Sequence, residues 1–201
     1  MHGFSGFMRL LLLFALSSPA LVAWDSAVQW QLDSQASTLG FGSLKAGTKL
    51  EGHRFTRMGG FVDLDRRTAQ VDIDSCSADS GISIRDERMR AMLFQCSKYP
   101  TIRISADVPD GLESLAPGKS LILTEHPVSV AMNGVSADML ADLLVNRASQ
   151  NTVTLTNARL IAVKAGWWGM EGGVNQLRDA AGLPSISYNV PVSFMLVFTA
   201  K

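Results

Sequence analysis

Val135-Ser136-Ala137-Asp138-Met139-Leu140-Ala141-Asp142-Leu143-Leu144-Val145 is the stretch on which the fold turns. Side chains alternate between the two faces of a strand. Val135, Ala137, Met139, Ala141, Leu143 and Val145 therefore share one face, while Ser136, Asp138 and Asp142 share the other. That is a half-buried strand of an antiparallel sheet or barrel. Asn133-Gly134 stands directly before it. A two-residue type I′ turn needs positive φ at both central positions, so this pair predicts a tight hairpin.

The same period recurs in both directions. Ile102, Ile104, Ala106 and Val108 alternate with Arg103, Ser105 and Asp107, and Val190, Val192, Phe194, Leu196 and Phe198 alternate with Pro191, Ser193, Met195 and Val197. Asp65-Arg66-Arg67-Thr68 reads as a turn, Pro109 to Gly118 as a loop, and Arg147 to Thr152 as a polar connection. Seven to nine strands result, with joints too short to separate domains. Two segments break the alternation. Asp86 to Phe94 has helical spacing, with Met89, Leu93 and Phe94 on one side and Asp86 available as N-cap. Gly173 to Gly182 reads as a short helix before Pro184. No internal repeat or low-complexity tract is present.

Residues 1–23 read as a signal peptide. Arg9 is the one charged residue before Asp25; an apolar run from Leu10 to Leu16 follows, then Ser17-Ser18-Pro19-Ala20-Leu21-Val22-Ala23. Cleavage is expected after Ala20 or Ala23, with an uncleaved anchor as the alternative. Residues 24–201 then form one soluble domain, expected in the periplasm. The chain has 18 basic and 18 acidic side chains, and its longest cationic cluster, Arg54 to Arg57, is interrupted by Phe55. That balance is no footprint for nucleic acid.

Cys76 and Cys96 are the two cysteines. In an oxidising compartment they are expected to pair, which stabilises by about 3 kcal/mol on the chain-entropy account. Cys76 follows Asp72 and Asp74 in strand phase, which places the bridge near the surface. Two cysteines alone do not complete a tetrahedral metal set.

No catalytic set is visible. His53 and His126 are the histidines after residue 23, the former in a Gly52-His53-Arg54 turn and the latter before Pro127; neither sits in a triad pattern. Arg85-Asp86 has two readings. The Arg fork fits an anionic head group, but a helix cap at Asp86, with Arg85 or Arg88 pairing a barrel carboxylate, suffices to explain the residue types. Trp167-Trp168, if in a strand, point to opposite faces, so at most one lines an interior.

In order, Trp30-Gln31-Leu32-Asp33, Ser37-Thr38-Leu39-Gly40-Phe41, Gly60-Phe61-Val62-Asp63-Leu64-Asp65, Ile84-Arg85-Asp86-Glu87-Arg88-Met89, Leu93-Phe94, Tyr99-Pro100 and Trp168-Gly169 resemble the YceI-like family of periplasmic lipid-binding proteins. The resemblance covers Trp30 to Phe198. Leu93-Phe94 stands where the commoner form has Phe-Phe, and the glycine-rich hairpin is reduced to Asn133-Gly134. The resemblance implies an all-β, lipocalin-like, eight-stranded antiparallel barrel with a short helix near its mouth and an apolar cavity. It implies an isoprenoid or quinone-like lipid as ligand, no covalently bound cofactor and no catalytic residues. Phe61, Val135, Ala137, Met139, Ala141, Leu143, Val190, Val192 and Phe194 are the expected cavity lining. The rival reading is a filled barrel that binds a membrane or redox protein partner.

Overall fold

A computed structural model describes residues 29–200. The expected signal peptide and its cleavage region lie outside the described residues. Those described form twelve strands: β1 (Gln29–Leu32), β2 (Thr38–Lys45), β3 (Lys49–Phe55), β4 (Met58–Asp63), β5 (Thr68–Asp74), β6 (Ala78–Asp79), β7 (Thr101–Asp107), β8 (Ser120–Met132), β9 (Val135–Ser149), β10 (Thr152–Asn157), β11 (Ile161–Lys164) and β12 (Asn189–Ala200). Eight of them close an antiparallel ring in the order β1-β4-β5-β7-β8-β9-β10-β12, and β12 returns to β1. The all-β, eight-stranded barrel that the family resemblance implies is therefore what forms.

The strand count exceeds eight because β12 has two neighbours on each side. Near its C-terminal end it pairs β1, Leu32 opposite Phe198; nearer its start it pairs β2, Phe41 opposite Val192. Its other side meets β10 and then β11. Between β1 and β2 the chain turns at Asp33, whose Oδ1 accepts from the N–H groups of Gln35 and Ala36. Beyond that turn, β2, β3 and β6 extend the wall at one end, the mouth.

Local chemistry accounts for the hairpins. Asn133 and Gly134 both have positive φ, 52° and 77°, and join paired residues Met132 and Val135 in the turn the sequence predicts. The opposite end of the barrel, the floor, is tied by Arg147. Its Nη1 donates to Leu115 O at 2.9 Å and its Nη2 to Gln150 O at 3.2 Å, and the guanidinium lies 5.8 Å from the Trp30 ring centre.

A helical cover closes the mouth. Helix α1 (Ser83–Arg88) runs directly into a π-turn over Met89–Leu93, closed by Phe94 N–H donating to Met89 O at 2.9 Å. Helix α2 (Glu171–Ala180) crosses this turn. The crossing is close at Gly173, where a Cβ would lie 2.5 Å from Met92 O. A 3-10 turn, Ala165–Trp168, leads into α2 and is fixed to the barrel by Trp168 Nε1 donating to Val130 O at 2.9 Å.

Three local expectations are corrected. Helix α1 starts at Ser83 with Ile82 as its N-cap position, and Asp86 lies within it, buried. The Asp86 carboxylate accepts from Ser80 N–H and Oγ at 2.8 and 2.6 Å, so it caps the preceding turn instead of the helix. Trp167 and Trp168 are separated by the 3-10 turn, not by strand alternation: Trp168 is 2% exposed and Trp167 39%. Cys76 and Cys96 are bonded as expected, with Cα atoms 5.2 Å apart, but strand phase does not govern Cys76. Its segment, Ser75–Ser77, is a 3-10 turn, and both sulfurs join the edge of the core.

The disulfide ties the cover to the wall, and the Gly173 crossing holds the two helical parts of the cover together. Replacing both cysteines by serine is expected to lower unfolding free energy by about 3 kcal/mol. Gly173→Ala is expected to lower it by ~1–3 kcal/mol through overpacking against backbone that cannot move aside. Urea unfolding of each variant measures both.

Candidate functional site

Between wall and cover lies a cavity of about 640 Å³, within the range of small-ligand sites. The wall's inward phase builds its sides: Val71 and Ile73 from β5, Ile102 and Ile104 from β7, Val128 and Val130 from β8, and Leu155 from β10. Met89, Leu93 and Phe94 from the π-turn and Met170, Val174 and Leu177 around α2 form the roof. The π-turn's extra residue lets Met89 and Phe94 both face inward. Under it, Phe41, Phe55 and Phe94 pack together with ring centres 5.1–5.9 Å apart.

Of the expected lining, Met139, Ala141, Leu143, Val190, Val192 and Phe194 border the cavity. Ala137 packs against the core from the same strand face but does not border the void. Phe61 is misplaced by one residue. Gly60 lies opposite Val71 and Met58 opposite Ile73, so Val62 is the inward side chain of β4 and Phe61 faces out. Val135 sits at the hairpin tip, 43% exposed, and does not border the cavity.

Sequence reasoning missed the polar side of the site. It lies on β2 and β3. Leu39, Phe41, Ser43 and Lys45 all line the cavity, in period two, passing from apolar to charged toward the mouth. Their partners on β3 are Phe55, His53, Glu51 and Lys49. The alternation of β2 carried this signal, although its glycines obscure it. His53 is accordingly a strand residue and not a turn residue, only 7% exposed. Its Nε2 shares a 3.1 Å hydrogen bond with Ser43 Oγ, and its Nδ1 has no partner among the described residues. Burial, reinforced by the charges of Arg85 and Lys45, lowers its pKa below the ordinary 6.5, so the ring is neutral at neutral pH. His126 stands apart, its Nε2 bonded to Asp107 O at 2.8 Å.

At the rim, Glu51 is the common partner of Lys45, Lys49 and Arg85. The Arg85 pair fastens α1 to β3. The hydrogen bond from Lys45 is the main cause that holds the Glu51 carboxyl down to about 2. Arg88, also on the cavity, donates to Ala180 O at 3.0 Å. Among the described residues no three His, Cys, Asp or Glu side chains gather as a metal set, and no helix is long and apolar enough to cross a membrane.

A carboxyl whose pKa falls on folding stabilises the fold above its unfolded value and loses that contribution as pH drops through the folded one. Glu51 therefore supports the fastening fully above about 4.5, and the support fades as pH falls toward about 2. Glu51→Gln is expected to reduce the acid sensitivity of unfolding in that window, as read from urea midpoints at neutral and acidic pH.

Similarity to known proteins is consistent along the whole barrel. The YceI-like domain matches residues 30–198. A polyisoprenoid binding domain from Saccharophagus degradans, implicated in plant cell wall breakdown, superposes with a TM-score of 0.83 at 31% identity, over 87% of this chain and 99% of that one. Burkholderia cenocepacia BcnA superposes with a TM-score of 0.60 at 16% identity, over 83% and 98%. A Campylobacter jejuni YCEI protein does so at 0.52 and 12%, over 74% and 84%. The last two show the fold alone. No functionally curated protein matches the chain. With its closed barrel, its helical cover and a family match spanning nearly all described residues, the chain belongs to the YceI-like family.

Proposed function

We propose that this protein binds an isoprenoid or quinone-like lipid in the barrel cavity, as a periplasmic carrier or sequestering protein, and does not transform it. The observation that carries the reading is the hollow itself: about 640 Å³ bordered mainly by aliphatic, aromatic and methionine side chains. Such a space suits a flexible apolar tail, and Met89, Met132, Met139 and Met170 can adjust to one. The polyisoprenoid binding domain from Saccharophagus degradans supports the ligand class by its likeness. The family resemblance and the disulfide support export.

The energetics are sufficient. Burying ten methylene equivalents at about 0.8 kcal/mol each stabilises by roughly 8 kcal/mol gross. Association and ordering costs remove part of this, leaving affinities near micromolar within reach without polar contacts. A filled barrel that serves only as a protein-binding surface fits a hollow interior poorly.

Native mass spectrometry of the protein purified from its own periplasm, with solvent extraction, tests the reading. A stoichiometric isoprenoid or quinone is expected. A bare protein mass, with no uptake on titration, overturns it. Ala141 is small and borders the cavity, so Ala141→Trp is expected to cut lipid affinity by about tenfold or more while the protein stays folded. Unchanged binding in a folded variant counts against the cavity as the site.

A further inference from the structure

The charged residues that border the cavity share one sign. Lys45, Arg85 and Arg88 line it, and among the described residues no Asp or Glu does. The chain as a whole carries equal numbers of acidic and basic groups, so this is a local excess and not a general basic background. Lys45 and Arg85 are substantially desolvated, their side chains 15% and 23% exposed. Partly buried cations need compensation, and here it is incomplete. Glu51 alone serves Lys45, Lys49 and Arg85. Arg88 donates to a neutral carbonyl and has no carboxylate partner among the described residues. Asp86, the other buried acid of α1, has its Oδ1 committed to Ser80. Ser43 and Ser187 add hydroxyls to the cavity wall.

We infer that Lys45, Arg85 and Arg88 form a cationic collar that receives an anionic head group, phosphate or carboxylate, on the lipid whose tail fills the cavity. The inference rests on the lipid-binding reading above and deepens it at the head group. Two arginines provide planar forks matched to such oxyanions, and Lys45 provides a compact charge. The apolar-to-charged order of Leu39, Phe41, Ser43 and Lys45 sets the direction of the ligand, tail inward and head at the mouth. Burial is the main cause of the lowered pKa of His53; repulsion from Arg85 and Lys45 adds to it, and Glu51 and Asp86 oppose it. A neutral head group would leave the local excess of positive charge as it is; an anion removes it.

The test compares lipids of one tail length. Geranylgeranyl phosphate and geranylgeraniol are titrated into the purified, delipidated chain, with intrinsic tryptophan fluorescence as the signal and palmitate as a third ligand. The phosphate is expected to bind about tenfold or more tightly than the alcohol. Lys45→Gln and Arg85→Gln are each expected to lower that phosphate-to-alcohol ratio several-fold. Glu51→Gln is expected to raise it, because it releases the cations from their internal competitor; a merely structural role for Glu51 predicts no such gain. Equal affinities, or a ratio that none of these substitutions moves, overturn the collar and leave the lipid-binding reading standing. Palmitate bound in preference to both prenyl lipids keeps the collar and overturns the isoprenoid tail. Binding of none of the three overturns the collar and the lipid reading together.

Discussion

A ring of eight strands has no free edge, and the hollow it encloses must be closed at both ends. Every other feature of this protein answers that constraint. At the floor, Arg147 gathers carbonyls from two loops and lies over Trp30. At the mouth the chain spends two helical segments. They are held by a disulfide, by the Trp168 hydrogen bond to β8 and by the Arg85–Glu51 pair. The core is consequently a shell lining a space, with Phe41, Phe55 and Phe94 gathered under the cover.

The fastenings differ in kind. The disulfide and the Gly173 crossing are indifferent to pH and salt. The partly buried ion pairs at the rim depend on the charge of Glu51, which is lost as pH falls toward about 2. One side of the cover is thus pinned, and the other is held by charges that a ligand head could also engage. Glu51 occupies the position a bound anion would contest.

Much of this was legible in single strands. Alternation in β9 and β12 puts six side chains on the face that borders the cavity, and Asn133-Gly134 specified its own turn. What failed was information held between strands. Phe61 and Val62 are both apolar, so only pairing with β5 reveals which one faces inward. Gly52-His53-Arg54 looks like a turn locally, but pairing with Gly42 and Phe41 makes it strand and buries the imidazole. Cys76 obeys a 3-10 turn that no periodicity announces. Asp86 is a capping residue, as its type indicates, but of a turn six residues back. The cationic rim was the least visible, because Lys45 and Arg85 lie on distant segments and meet only through Glu51.

The seam of the ring joins the first described strand to the last, Trp30 opposite Ala200. Until β12 is in place, β10, β2 and β1 all lack a neighbour, and no interior exists. Closure thus depends on contacts of very high sequence separation, which are slow to form. A chain with β12 still unpaired would present the inward face of its other strands as an open trough. An isoprenoid chain lying in that trough would act as a template for closure, whereas one arriving later would meet the cover. Folding order and ligand loading are in this way two aspects of the same last step.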